Sequence, residues 1–406
     1  MTELDLGLKV GVRKLLWSMG YATRLDVELR GDRPLKLPDS RRGKGGGQET
    51  YTDLDVLGVR VTPDSQVSMV IADCKSGKND KPTARMFWAR GVADLFGADQ
   101  VMLVREHEVN DATRQLSARL GITVLPSPDL SAMQNLYEPS AVAPVLQSVL
   151  FERDMVAENL RAFVGLDRKL NPLLEYRDFD YWVYDQYRNP IQLVAHLADA
   201  APLLDPRNPV HLALFLDLGW LYTLSMLRVI SHIRGAFLRD PDRGLQEYIF
   251  GGATNLREKK ETAGLLESVA PEGATSLSYL PSYYSNLREL VLRLLRRPSE
   301  LQTCLRYAEA ASALMAARKR VTLKEAFGEN YNPYAAKLLA DVCGFLVAAT
   351  GLPSEFRVQA RAWLLSEGVG SDSDGSKGTP ESPPSKTNSG GQVHLPGLEH
   401  FSPQSD

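Results

Sequence analysis

Up to Pro126 the apolar positions recur at two different spacings. In "LKVGVRKLLWSMGY", Leu8, Val12, Leu15, Leu16 and Met19 share one side of a 3.6-residue period and Gly20 follows as a stop, which predicts an amphipathic helix. "ATRLDVELRG" then reads as a strand. "DVLGVRV" and "VSMVIADCK" are short, rich in Val and Ile, and separated by the turn formers Pro63, Asp64 and Ser65. They predict an antiparallel hairpin. Beyond Pro128 the period is helical as far as "ARAWLLSEG". Its longest apolar run, "VHLALFLDLGWLYTLSMLRVI", is long enough to span a membrane. It contains Asp217 and begins beside His211, which favours a central buried helix. "GVGSDSDGSKGTPESPPSKTNSGGQ" is poor in apolar residues and predicts disorder. The final "VHLPGLEHF" regains apolar residues, either as a plain tail or as a short docking motif. The expected organisation is an α/β domain over residues 1–130, an all-α helical domain over 131–366 and a disordered tail over 367–406.

The chemistry concentrates in the hairpin. Alternation along a strand sends Asp73 and Lys75 to one face and Cys74 to the other, where a small thiol fits a packed core. In register, Asp55 faces the same space as Asp73, giving two carboxylates and an ammonium at a sheet edge. Adjacent carboxylates repel unless one protonates or a cation intervenes. Hard oxygen donors suit Mg²⁺ or Mn²⁺, which activates water and neutralises phosphate charge. Lys75 would then position that water or stabilise the developing negative charge. Asp-x-Lys arises often by chance, and acids commonly end strands as solvated residues. The order helix, strand, Asp, turn, strand, Asp-x-Lys, helix, strand tips the balance toward a phosphodiester-hydrolysing site.

These segments together resemble the PD-(D/E)xK nuclease superfamily, and within it the Mrr-type restriction endonuclease-like domains, over the first third of the chain. "LKVGVRKLLWSMGY" is similar to the family's first helix. "TDLDVLGV" places the first metal-binding acid on Asp55, and "VIADCKSGK" places the second on Asp73 and the lysine on Lys75. "ARGVADLFGADQVMLV" and "ATRQLSARLGITVLP" resemble the later helix–strand pairs. The resemblance implies a metal-dependent endonuclease acting on nucleic acid, DNA ahead of RNA, in restriction or antiphage defence. Two family features are missing. The only matching acid in the first helix is Glu3, some turns too early, and "TARMFWARGVADLF" lacks the glutamine seen after the lysine strand. The alternative is an inactive nuclease-fold adaptor that binds nucleic acid, or a protein partner through the helical domain or tail.

Charge and cysteine content add limits. A net charge of -3 means that any nucleic-acid surface is local. The segment "GDRPLKLPDSRRGKGGGQET" lacks the phosphate-cradle spacing. It reads as a mobile loop or, functionally, as a basic loop whose Arg41, Arg42 and Lys44 grip phosphates, with Lys78 as a further candidate. Three dispersed cysteines exclude a disulfide framework and a zinc ribbon. With no signal-peptide pattern at the start, a cytoplasmic protein without a membrane span is expected. His196, His211 and His232 lack ligand-spaced partners and read as core or surface residues. In "EYRDFDYWVYDQYRN" the interleaved acids favour a helix–helix seam over a base-stacking platform. Arg257, Lys259, Lys260, Arg296 and Arg297 read as a solvated helix face ahead of a DNA-guiding surface.

Overall fold

Helix α1 (Glu3–Ser18) carries the expected apolar stripe, and Gly20 turns the chain at φ 88°, a conformation glycine adopts without steric cost. Strands β1 (Ala22–Arg30), β2 (Thr50–Val61) and β3 (Val67–Lys75) follow as an antiparallel meander. Helix α2 (Pro82–Phe96), β4 (Gln100–Arg105), α3 (Asp111–Leu120) and β5 (Ile122–Pro126) add two strands parallel to β3. The sheet order is β1-β2-β3-β4-β5. The computed structural model describes residues 3–31, 50–77, 81–137, 142–269 and 278–366. Arg41, Arg42, Lys44, Lys78 and the tail from 367 onward lie outside these residues.

The sheet is covered on both sides. Leu8, Val12, Leu15 and Leu16 of α1 pack with Leu25, Val56, Val70, Ala72 and Cys74. On the other side, Met86, Ala89 and Ala93 of α2 join Leu57, Val59, Ile71 and the helical region in one large core. α1 sits directly on β2 at Gly58, where an added Cβ would come within 2.6 Å of Val70 Cγ1 and 3.0 Å of Leu16 Cδ1. Gly58→Ala is therefore expected to cost about 1–3 kcal/mol by overpacking. A urea midpoint equal to that of the parent would show that α1 yields freely there.

The rest of the described chain is helical. Pro209–Ala236 begins with Asn208, whose side chain accepts the Val210 N–H, followed by Pro209 in the first turn. This helix and Pro333–Thr350 are both long and apolar enough to cross a membrane. Protein atoms bury 83% of the most apolar window of the first, so its composition is that of a helix packed on nearly every side. The change from strands to helices falls at Pro126–Ser127, inside a compact unit spanning Met1–Gly368. Gln302 joins its two parts: its side-chain oxygen accepts the Val61 N–H at 2.7 Å, and its amide donates to the Gly20 carbonyl at 2.8 Å.

Candidate active site

The β2–β3 ladder ends at the pair Val56↔Ala72. Beyond it, Asp55 uses its carboxylate in place of a backbone acceptor, and Oδ2 takes the Cys74 N–H at 2.7 Å. Strand alternation also slips here. Leu25 and Val56 face α1, yet their neighbours Asp26 and Asp55 turn to α1 as well, both bonding Lys9. Val27 and Leu54 then belong to the opposite core. At the slip on β1, Asp26 has a left-handed backbone at φ 53°, a conformation Asp tolerates better than most side chains.

The slip separates the two acids expected to share one face. Asp55 Oδ1 meets Lys9 Nζ of α1 at 2.7 Å. Asp73 instead faces α2, where Arg85 Nε and Nη2 hold its two oxygens at 2.6 Å each. Lys75 reunites them: its Nζ lies 3.7 Å from Asp55 and 3.6 Å from Asp73. Both acids are buried, whereas the Lys75 side chain is 33% exposed, so the ammonium stands at the mouth of the cluster. Asp5 of α1 closes the neighbouring turn by accepting from Ser76 N at 3.1 Å and Ser76 Oγ at 2.7 Å. Cys74 is fully buried, and burial pushes its thiol well up, as befits a core residue.

Burial opposes both members of the Lys9–Asp55 pair. For Lys9, the charges and hydrogen bonds of Asp55 and Asp26 outweigh that burial, and its ammonium is held above the ordinary range. For Asp55, burial prevails and raises the carboxyl despite Lys9, the Cys74 N–H and Lys75. The asymmetry follows from partners: Lys9 bonds two carboxylates, and Asp55 has one close cation.

The donor set fits a hard divalent cation. Asp26, Asp53 and Asp55 each offer an oxygen, and these atoms lie within 4.8 Å of one another. Oxygens facing each other across Mg²⁺ stand about 4.2 Å apart, so a small closure suffices. The Lys9 ammonium already bonds Asp26 and Asp55 of that group, and Arg85 holds both oxygens of Asp73. A metal shared by Asp55 and Asp73 needs Arg85 to let go.

The helical region grips β1 beside this cluster. Glu309 accepts from Arg13 Nη2 at 2.8 Å and from Thr23 N at 2.8 Å. Asp217 accepts from Arg24 Nη2 at 3.1 Å and from Arg177 Nε at 2.5 Å. The aromatic segment lies largely in the core: Tyr176 and Tyr181 are buried, and His196 stacks on Tyr176. His211 Nδ1 accepts the Asp205 N–H, and His232 packs between Phe237 and Tyr248. None of the three belongs to a metal-binding group among the described residues. Arg257, Lys259 and Lys260 are exposed on Ala253–Val269.

Sequence reasoning missed Lys9, Asp26 and Arg85. The first two carry a usable signal: each is a charge set between apolar neighbours, Leu8 and Val10 or Leu25 and Val27, where the period calls for core. Comparison with protein-family models, curated proteins and solved structures gives no match for this chain.

Proposed function

We propose that this protein hydrolyses phosphodiester bonds of nucleic acid, with DNA as the preferred substrate, using Mg²⁺ or Mn²⁺ at Asp55, Asp73 and Lys75 on a restriction-endonuclease-like sheet. The observation that carries this reading is Lys75, a partly exposed ammonium spanning two buried carboxylates at 3.6 and 3.7 Å. Asp55, helped by Asp26 and Asp53, would hold the cation, and Asp73 would join on release from Arg85. The metal, when bound, supplies a water of lowered pKa and neutralises phosphate charge. Lys75 faces that space and stabilises charge developing on the phosphate. Once freed, Arg85 presents a fork suited to two phosphate oxygens. A part in restriction or antiphage defence rests on the family resemblance.

One observation favours a second reading, an inactive nuclease-fold adaptor. Asp26, Asp55 and Asp73 are already matched by Lys9, Lys75 and Arg85, so these three carboxylates are neutralised without metal. Metal titration by calorimetry, paired with cleavage of labelled DNA and RNA, separates the two. Metal-dependent cleavage is expected, reduced at least about 100-fold in Asp55→Asn and in Asp73→Asn. Full cleavage by both variants would remove the site from consideration. Absence of both metal binding and cleavage in the parent would favour the adaptor.

A further inference from the structure

A pocket of about 360 Å³ opens where the end of β1, the start of β2, the end of α2 and residues 181–186 converge. Tyr51, Phe96, Trp182 and Tyr184 supply aromatic surface, and Arg30 and Arg228 supply positive charge. Tyr51 is 55% exposed and marks the opening.

Arg228 is the informative residue. It is half-buried on the long helix and has no carboxylate at ion-pair distance among the described residues. Its one hydrogen bond there is to the Met69 thioether, at 3.6 Å. Two more donors of lining residues, Arg30 Nε and Trp182 Nε1, are buried without an acceptor. Arg30 Nη2 does meet Glu28, at 3.2 Å, and its guanidinium stacks on the Phe179 ring, so it is the lesser of the two cations here. Among the described residues the single acid on the lining, Asp185, lies 3.9 Å from Arg188 and is largely solvent-exposed. The adjoining cavity of about 280 Å³ beneath β1 makes the contrast, because its Arg13, Arg24 and Arg177 are all paired with Glu309 or Asp217.

Partial burial of a guanidinium without a counter-ion carries a cost, and so do buried donors without acceptors. An anion entering the pocket would relieve the first of these at Arg228. Aromatic faces beside cations stack well on planar bases and tolerate any of the four. We propose that this pocket binds a nucleoside phosphate, its base against the aromatic wall and its phosphate on Arg228 and Arg30. The ligand is either a free mononucleotide or the phosphorylated end of a strand. The inference stands apart from the Asp55 site, with which the pocket shares no residue.

The full chain would be titrated in chelator, so that no metal-dependent binding or cleavage contributes. Trp fluorescence and calorimetry would follow AMP, CMP, inorganic phosphate, and a single-stranded tetranucleotide with or without a 5′-phosphate. Saturable binding of AMP and CMP, much tighter than of phosphate, is expected. Arg228→Gln should weaken it about 10- to 100-fold, the value of a hydrogen bond to a charged group. Tyr51→Ala, at an exposed position that leaves the core untouched, should weaken it at least about 5-fold through lost stacking. Tighter binding of the phosphorylated tetranucleotide than of AMP assigns the pocket to strand ends, and the reverse order assigns it to free nucleotides. Inorganic phosphate binding as tightly as AMP, affinity unchanged in Tyr51→Ala, or no saturable nucleotide binding would each overturn the proposal.

Discussion

Asp217→Ala is expected to lower the stability of the protein by about 3–5 kcal/mol, the usual cost of stranding a buried charge. Asp217 sits in the long buried helix Pro209–Ala236 and is the shared partner of Arg24 from β1 and Arg177 from the aromatic segment. Arg24 is also enclosed by Trp182 and Trp220, each ring 5.6 Å away, so it has no easy route to water. Burial pushes the Asp217 carboxyl up, but Arg177 and Arg24 outweigh it and hold the group below its ordinary range. A depressed folded value gives stability that is complete above the unfolded value of about 3.9 and is lost as pH falls through the folded one. Asp217→Asn should therefore be less stable than the parent at neutral pH and show a shallower acid limb. Removing Arg24 and Asp217 together should cost less than the sum of the single losses, because the two share one interaction. Denaturant midpoints at several pH values check all three expectations. A loss below about 1 kcal/mol in Asp217→Ala would mean that water reaches this clamp.

The clamp also explains what the chain's local patterns could and could not reveal. α1, the β2–β3 hairpin and the Gly20 stop were legible because each follows from spacing within about a dozen residues. The alternation slip was not, since "RLDVELR" keeps a strand-like pattern through Asp26 and the left-handed backbone leaves no mark on residue type. That slip decides the site: it sends Asp55 toward Lys9 and leaves Asp73 with Arg85. Lys9 was hidden for a related reason, because a lysine one step off an apolar stripe ordinarily reaches solvent, and here it is 3% exposed. The bonds of Glu309 to Arg13 and Thr23 join segments nearly three hundred residues apart, beyond any periodic signal. Arg228 lay within the run read as buried helix, and its lack of a counter-ion is visible only once its neighbours are placed.

Lys9→Met is expected to make the stability of the protein far more dependent on divalent metal than that of the parent. Methionine keeps the length and apolar stem of lysine and removes the ammonium that Asp26 and Asp55 share. Without metal the variant leaves two adjacent carboxylates facing each other, one of them buried, at a cost of about 3–5 kcal/mol. Part of that is recovered if Asp55 protonates, which the upward push of burial on this group already favours. A divalent cation would supply the missing charge to the same oxygens. Binding only to the folded state stabilises by about 2.7 kcal/mol when the free ligand is 100 times its dissociation constant. Thermal unfolding of parent and variant, each in chelator and in excess Mn²⁺, gives four melting temperatures. The variant should melt well below the parent in chelator and regain much of the difference in Mn²⁺, while the parent shifts far less because its own ammonium competes. A variant that is destabilised but deaf to Mg²⁺ and Mn²⁺ would show that these carboxylates serve Lys9 alone. The adaptor would then become the better account of the cluster, and Lys75 would lose the cofactor its proposed role requires.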